Sequence, residues 1–347
     1  MRSRARSILI LAVTAGLLAF FFRDVDFAGV WAETRRANPW QLIFAVAFTL
    51  LTYVLRAWRW QYLLAPIGPT RFATAFRTTV IGFAASAFLP ARAGEVIRPY
   101  LLARREGLKP TATFATIILE RLLDLAAALL LFAAFVLTVP DGVVSSGPEK
   151  FAHVKFWGSV AAGAAVVGLA VLFALAGHPE RLGRAAGRVE AVLPARAARL
   201  VEQLVESFAE GLAVMRDPAR LVVALALSFP LWLSIGAGIW LTSQAFHITF
   251  PYTGSFLVMT LLIVGVAVPT PGAIGGFHAA YQIAVVTFFA ASPDQAVGAG
   301  IVLHAISFVP VTILGVIFMA QDGLTFSSVQ NIAQQPAVSA AASRTRE

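Results

Sequence analysis

The sequence predicts an all-α polytopic membrane protein, with about six full transmembrane helices, two re-entrant hairpins and a candidate inverted repeat. Three observations carry that expectation. The 347 residues are 59% hydrophobic and only 13% charged, against about 25% charged in soluble domains. Several apolar runs approach the ~20 residues that cross a ~30 Å hydrocarbon core as helix. The basic residues also fall unevenly between the connections, as the positive-inside bias requires.

The first span is Ser7–Phe22, preceded by Arg2, Arg4 and Arg6. It is signal-like but lacks a small-residue cleavage site, so it reads as an uncleaved anchor with a cytoplasmic N-terminus. Trp40–Leu55 follows, closed by "RAWRW", where Arg56, Trp58, Arg59 and Trp60 suit the interfacial aromatic and basic belt. An apolar run over Ala73–Leu89 ends at Pro90; Thr111–Val139 is long, and Trp157–Ala176 is a clean span. Leu221–Phe246 crosses with a kink expected at Pro230. Tyr252–Val268 and Phe277–Ala290 flank "PTPGAIGG", and Ala296–Ala320 is the last span. One transmembrane domain thus covers 1–325. A cytoplasmic amphipathic connection over 177–218 interrupts it, with Leu200, Leu204, Phe208 and Met215 at helical spacing. The tail, 326–347, is small and polar and is expected to be disordered.

Topology turns on Ala73–Tyr100. If Ala73–Leu89 crossed fully, Arg92, Arg98, Arg104, Arg105 and Lys109 would land outside, and the Arg-rich 177–220 connection would invert. If the chain turns at Pro90 and returns, only Arg23, Arg35, Arg36, Lys150 and Lys155 lie outside, which is the asymmetry the Lys/Arg rule asks for. A cytoplasmic re-entrant hairpin is therefore expected, its polar limb buried in protein or lining a wet cavity. "PTPGAIGG" carries no basic residue and its limbs are short, so it reads as a second hairpin from the opposite side. "PARAGE" (Pro90, Gly94) and "PGAIGG" (Pro271, Gly275) each place Pro and Gly four apart, with Gly272 and Gly276 also in the second turn. Opposed broken segments of this kind occur in inverted-repeat transporters.

The charges within these segments mark the candidate site. In "ILERLLDL", Glu120 and Asp124 are i, i+4 and share a helix face. Two carboxylates at the edge of the hydrocarbon require a basic partner or protonation. Arg92, Arg98 and Arg121 are the candidates, with Glu95 beside them. One reading is a substrate-lining cluster that leaves an Arg free for an anionic guest such as a lipid phosphate. The other is an ion network that only pins the hairpin to the helix.

Several classes are excluded. There is no cysteine, so no disulfide, thiolate nucleophile or Cys-bound metal exists. His278 and His304 lack a third ligand at useful spacing, and no metal or other cofactor is expected. No nucleotide-binding fingerprint is present, and the net charge of +9 follows membrane topology rather than nucleic-acid binding.

"LPARAGEVIRPYLLARREG", "ATIILERLLDL" and "PTPGAIGGFHAAYQIAVVTFF" together resemble the membrane domain of lysylphosphatidylglycerol synthases, shared by flippase-like membrane proteins. The resemblance runs from about Ser7 to Gln321, and R-x-G-E-x-x-R with E-R-x-x-D are its most specific parts. It implies a helical bundle with re-entrant segments that moves aminoacylated or other polar-headed lipids between leaflets. In the synthases a soluble aminoacyl-tRNA-dependent domain follows; no stretch of these 347 residues matches it, so synthase activity is not expected. His278 stands where relatives typically have Glu, and His304 where they often have Arg. That exchange leaves a lysyl-lipid substrate unsupported and suggests pH sensitivity near about 6–7.

The expected function is lipid translocation in the inner (cytoplasmic) membrane, with both termini cytoplasmic and membrane lipids as partners. Arg92, Arg98 and Arg121 would hold the headgroup while Glu95, Glu120 and Asp124 tune them. His278 and His304 complete the candidate site, and Pro90, Gly94, Pro271, Gly272, Gly275 and Gly276 shape the turns. The alternatives are a membrane partner of a separately encoded lipid-modifying enzyme, docking through Arg199–Met215, and an intramembrane enzyme using Glu120 or Asp124 as base. The lipid, the direction, the driving force and the oligomeric state are not legible.

Overall fold

The computed structural model describes residues 26–89, 93–139, 217–268 and 270–325, and scattered helical positions between 152 and 170. The expected first span, Pro90, Arg92, most of Trp157–Ala176, the Arg199–Met215 segment and the 326–347 tail lie outside the described residues.

Every regular element among the described residues is helical. In order these are α1 (Phe27–Arg36), α2 (Pro39–Leu64), α3 (Phe72–Phe88), α4 (Gly94–Glu106), α5 (Pro110–Thr138), α6 (Pro218–Ala245), α7 (Gly254–Ala267), α8 (Gly276–Phe289) and α9 (Pro293–Gln321), with a single 3-10 turn at Pro271–Ala273. Four of them, α2, α5, α6 and α9, are long and apolar enough to cross a membrane. Their starts are written locally. Proline occupies the first turn of each, where its missing N–H costs nothing. Asn38, Asp217 and Ser292 cap three of them by accepting from backbone N–H groups. Pro230 lies inside α6 and Pro310 inside α9. The short helix α1 was not anticipated; Asp26 caps it, and Phe27 and Trp31 are exposed.

The bundle has two distinct ends. The close of α2, the start of α3, the close of α4 and the starts of α5 and α6 share one apolar cluster around Trp60, Leu64, Ala75, Leu102, Ile117 and Leu221. Asp322, just past α9, joins this end through Arg77 at 2.9 Å and through Arg105. At the opposite end Asn38 N–H donates to the Ala245 carbonyl, and Phe246, Phe250, Phe289 and Ala291 pack together. The 26 residues of α2 separate the two ends by about 39 Å. Arg71, Arg77, Arg104, Arg105, Lys109 and Arg220 gather at the first end.

Two helical hairpins enter from these opposite ends and meet tip to tip. In the first, Gly82 lies against Gly94 and Arg98, while Ser86 accepts from the Gly94 N–H at 3.1 Å, so α3 and α4 are antiparallel. In the second, Gly265 lies against Gly276 and Ala280, and Gly254 meets Phe289, so α7 and α8 are antiparallel as well. Both necks close on a backbone-to-backbone glycine contact. At each, a Cβ on Gly94 or Gly276 would fall onto the facing carbonyl oxygen of Gly82 or Gly265. The second tip is a 3-10 turn in which Gly272 (φ 59°) and Gly275 (φ 88°) take up left-handed backbone that a side chain would strain.

Candidate functional site

The site begins with a polar stripe on α2. Thr49, Thr52, Arg56 and Arg59 recur at spacings of three and four, so they share one face of an otherwise apolar helix. That face turns inward: Thr52, Arg56, Arg59 and Trp60 are all buried. The interfacial-belt expectation for "RAWRW" is therefore corrected. Only Trp58 is exposed there, because α2 continues as helix to Leu64 rather than ending near Leu55. The signal was present as threonines in register with the two arginines, but arginine and tryptophan at the end of an apolar run fit a membrane boundary equally well.

Opposite this stripe, α5 presents Glu120 and Asp124 one turn apart, both buried. Glu120 Oε1 accepts from Arg56 at 3.1 Å, Arg98 at 2.9 Å and Arg121 at 2.6 Å. Arg98 completes a two-pronged contact by donating to Oε2 at 3.1 Å, the geometry that favours guanidinium over ammonium. Asp124 Oδ1 lies 2.7 Å from an Arg59 guanidinium nitrogen and accepts from the Trp232 indole N–H at 3.0 Å. Its Oδ2 accepts from Arg56 at 3.2 Å and lies 3.3 Å from Arg121. Arg98 also stacks 3.8 Å above the Trp60 ring, whose indole N–H donates to Thr116. Arg59 donates to Ser228 at 2.7 Å.

The arrangement has a stated electrostatic logic. Four guanidiniums surround two carboxylates, so the acids are fully neutralised and positive charge is left over. Glu95 lines the same space and acts on Arg121, which still leaves the cations one ahead among the described residues. A low-dielectric surround strengthens each attraction and equally raises the cost of any unpaired member.

The cluster opens onto a cavity of about 620 Å³ between the two hairpin tips, within the ~300–1,000 Å³ typical of small-molecule sites. Arg56, Glu95, Arg98, Arg121 and Asp124 form its charged wall. Tyr53, Phe83, Leu262, Phe277 and Leu303 supply apolar walls, and Thr270 contributes from the second tip. Of the residues singled out in sequence, Glu95, Arg98, Arg121 and Asp124 line this cavity, and Glu120 sits immediately behind them. His278 and His304 do not line it. Their rings lie tilted against each other with centroids 4.7 Å apart, and His304 Nε2 lies 2.8 Å from the Gly272 carbonyl oxygen in the second turn. Among the described residues no group of three or more His, Asp or Glu is placed to hold a metal ion.

A family model, lysylphosphatidylglycerol synthase TM region, matches residues 7–315. The chain belongs to that family. Membership makes it a multi-pass membrane protein of a group tied to lipid synthesis or translocation, and it places both hairpins and the whole ion cluster within the family region. No curated protein matches the chain.

Trp232 tests how tightly this family member holds Asp124. Trp232→Phe keeps a ring in place but removes the one indole donor to a buried carboxylate. Hydrogen bonds to charged groups contribute about 1.5–3 kcal/mol. The expected outcome is a lower melting temperature in detergent with the fold retained.

Proposed function

We propose that this protein moves a lipid with an anionic or otherwise polar headgroup between the two leaflets. The observation that carries the reading is the buried cluster of four arginines and two acids, with cationic charge in excess, opening onto a cavity between hairpins from opposite ends.

The hairpin helices have 17, 13, 14 and 14 residues, or about 20–25 Å each. A full crossing needs ~30 Å, so we read both hairpins as re-entrant. Charged residues on α4 suit that reading, since polar backbone and side chains survive at membrane depth only inside protein or beside water. The basic end, with Arg71, Arg77, Arg104 and Arg105, would face the cytoplasm of the inner membrane. Access from either face to a site between opposed broken helices is the geometry of alternating-access carriers.

Translocation fits the site better than catalysis does. A general base needs a free lone pair aimed at substrate, whereas Glu120 and Asp124 are saturated by guanidinium and indole donors. With no nucleotide motif in the chain, movement would be facilitated or ion-coupled.

The deciding measurement is leaflet exchange of headgroup-labelled lipid in liposomes containing the purified protein. Arg121→Gln, at the most accessible of the four clustered guanidiniums, is expected to slow exchange about tenfold or more, the loss of one charge-assisted contact. Wild-type protein that exchanges none of anionic, zwitterionic and polyprenyl-phosphate lipids would exclude the proposal.

A further inference from the structure

The four guanidiniums differ in exposure. The side chains of Arg56, Arg59 and Arg98 are 7%, 1% and 4% exposed, whereas that of Arg121 is 36% exposed. Arg121 occupies an edge of α5. On one side it meets Glu120 and Asp124. On the other runs an exposed apolar stripe, Ile118, Leu122 and Leu125, at helical spacing. Leu125, one turn past Arg121, lines the cavity and is 52% exposed.

The facing helix behaves in the same way. Ala267 closes α7, lines the cavity and is exposed, and Val264 beside it is exposed too. Farther along, α5 and α7 pack in one core through Leu131, Phe135, Phe256 and Leu262. Leu125 and Ala267, each both exposed and lining the cavity, mark where the charged cavity comes nearest the exposed faces of α5 and α7, with Arg121 one turn from Leu125.

We infer that the cavity opens there through a lateral portal between α5 and α7 for a phospholipid with a net anionic headgroup, with the phosphate on Arg121 and the acyl chains outside along Ile118, Leu122, Leu125 and Val264. The inference rests on the lipid-handling reading above and adds the route and the ligand class. Among the described residues the Nε of all four arginines lacks a hydrogen-bond partner, and of these side chains Arg121 is the most exposed; a guanidinium presents its donors in the planar pattern phosphate accepts. Chains that never leave hydrocarbon incur no exposure to water, so only the headgroup must be dehydrated, and the cation offsets that cost.

The chain has no cysteine, so Leu125→Cys and Ile313→Cys each create a sole thiol for a benzophenone maleimide. Ile313, on α9, is 56% exposed and does not line the cavity. Each labelled protein is placed in phosphatidylcholine vesicles carrying a minority of phosphatidic acid, illuminated, and its cross-linked lipid identified by mass spectrometry. Phosphatidic acid is expected to be enriched about tenfold at position 125 relative to position 313. Arg121→Gln should abolish the enrichment, and Arg121→Lys, which keeps the charge without the fork, should retain part of it. Equal lipid ratios at the two positions, or enrichment indifferent to Arg121→Gln, would overturn the portal. The readout is contact rather than movement. Selective cross-linking by a protein that exchanges no lipid would support the portal while refuting translocation, and exchange without selectivity would do the reverse.

Discussion

Glu120→Gln is expected to cost this protein most of its folded yield. The substitution is nearly isosteric, so packing around α5 barely changes, but the acceptor of three close guanidiniums loses its charge. Arg56, Arg59 and Arg121 would then share Asp124, while Arg98 would lose the carboxylate it pairs with among the described residues. Removing one partner of a buried ion pair typically costs about 3–5 kcal/mol, because the stranded charge has no water to return to. Against a total stability of about 5–15 kcal/mol, that is a large share. The check is size-exclusion behaviour and thermal melting in detergent. Adding Arg98→Gln to Glu120→Gln should recover part of the loss, since the two groups contact each other and their effects cannot be additive. A Glu120→Gln protein that melts at the wild-type temperature would show that this carboxylate does not hold the guanidiniums together.

Alanine at the hairpin necks is the second large effect. Gly94→Ala places a methyl group on the Gly82 carbonyl oxygen, and Gly276→Ala places one on that of Gly265. Neither neighbour is a side chain that can turn away, so the helices of each hairpin must spread. Overpacking costs typically about 1–3 kcal/mol and more where backbone must move. Gly238→Ala provides the control. On α6 its new methyl group would meet nothing nearer than 3.6 Å, and alanine in a helix interior gains roughly 0.5–1 kcal/mol over glycine. Melting temperatures should therefore fall for Gly94→Ala and Gly276→Ala and hold or rise for Gly238→Ala. Tolerance of both neck substitutions would contradict the close glycine contacts.

The necks also refine the internal likeness between the halves. Sequence pairs Gly94 with Gly275 through Pro90 and Pro271. In the fold the residue that plays the part of Gly94 is Gly276, one position later, because both open the returning helix and both pack on a glycine of the incoming one. Short turn motifs align by composition, whereas the neck is set by where two backbones touch.

Much of the architecture was legible because a membrane makes it so. Lipid offers the backbone no hydrogen bonds, so a long apolar run has to be a helix, and α2, α5, α6 and α9 follow from their composition and capped, proline-led starts. The pairing of Arg98 and Arg121 with Glu120 and Asp124 was also legible, since buried acids need cations and few stood nearby in sequence.

Arg56 and Arg59 were not. At the end of an apolar run an arginine can reach water or turn inward, and local sequence energetics favour the two about equally. Their burial was decided by α5 and α6, which bring Glu120, Asp124 and Ser228 into hydrogen-bond contact with the inward face of α2 across separations of 64, 68 and 169 residues. The place of His304 likewise depends on a distant contact, with Gly272. The sequence alone determined which segments are helical and that their intramembrane charges must find partners. Which arginine meets which acid, and that one of them borders both the cavity and the exposed apolar face, was decided only by the tertiary structure. Coulombic partners are chosen by distance in space, and hydrophobic pattern along one helix carries no information about its neighbours.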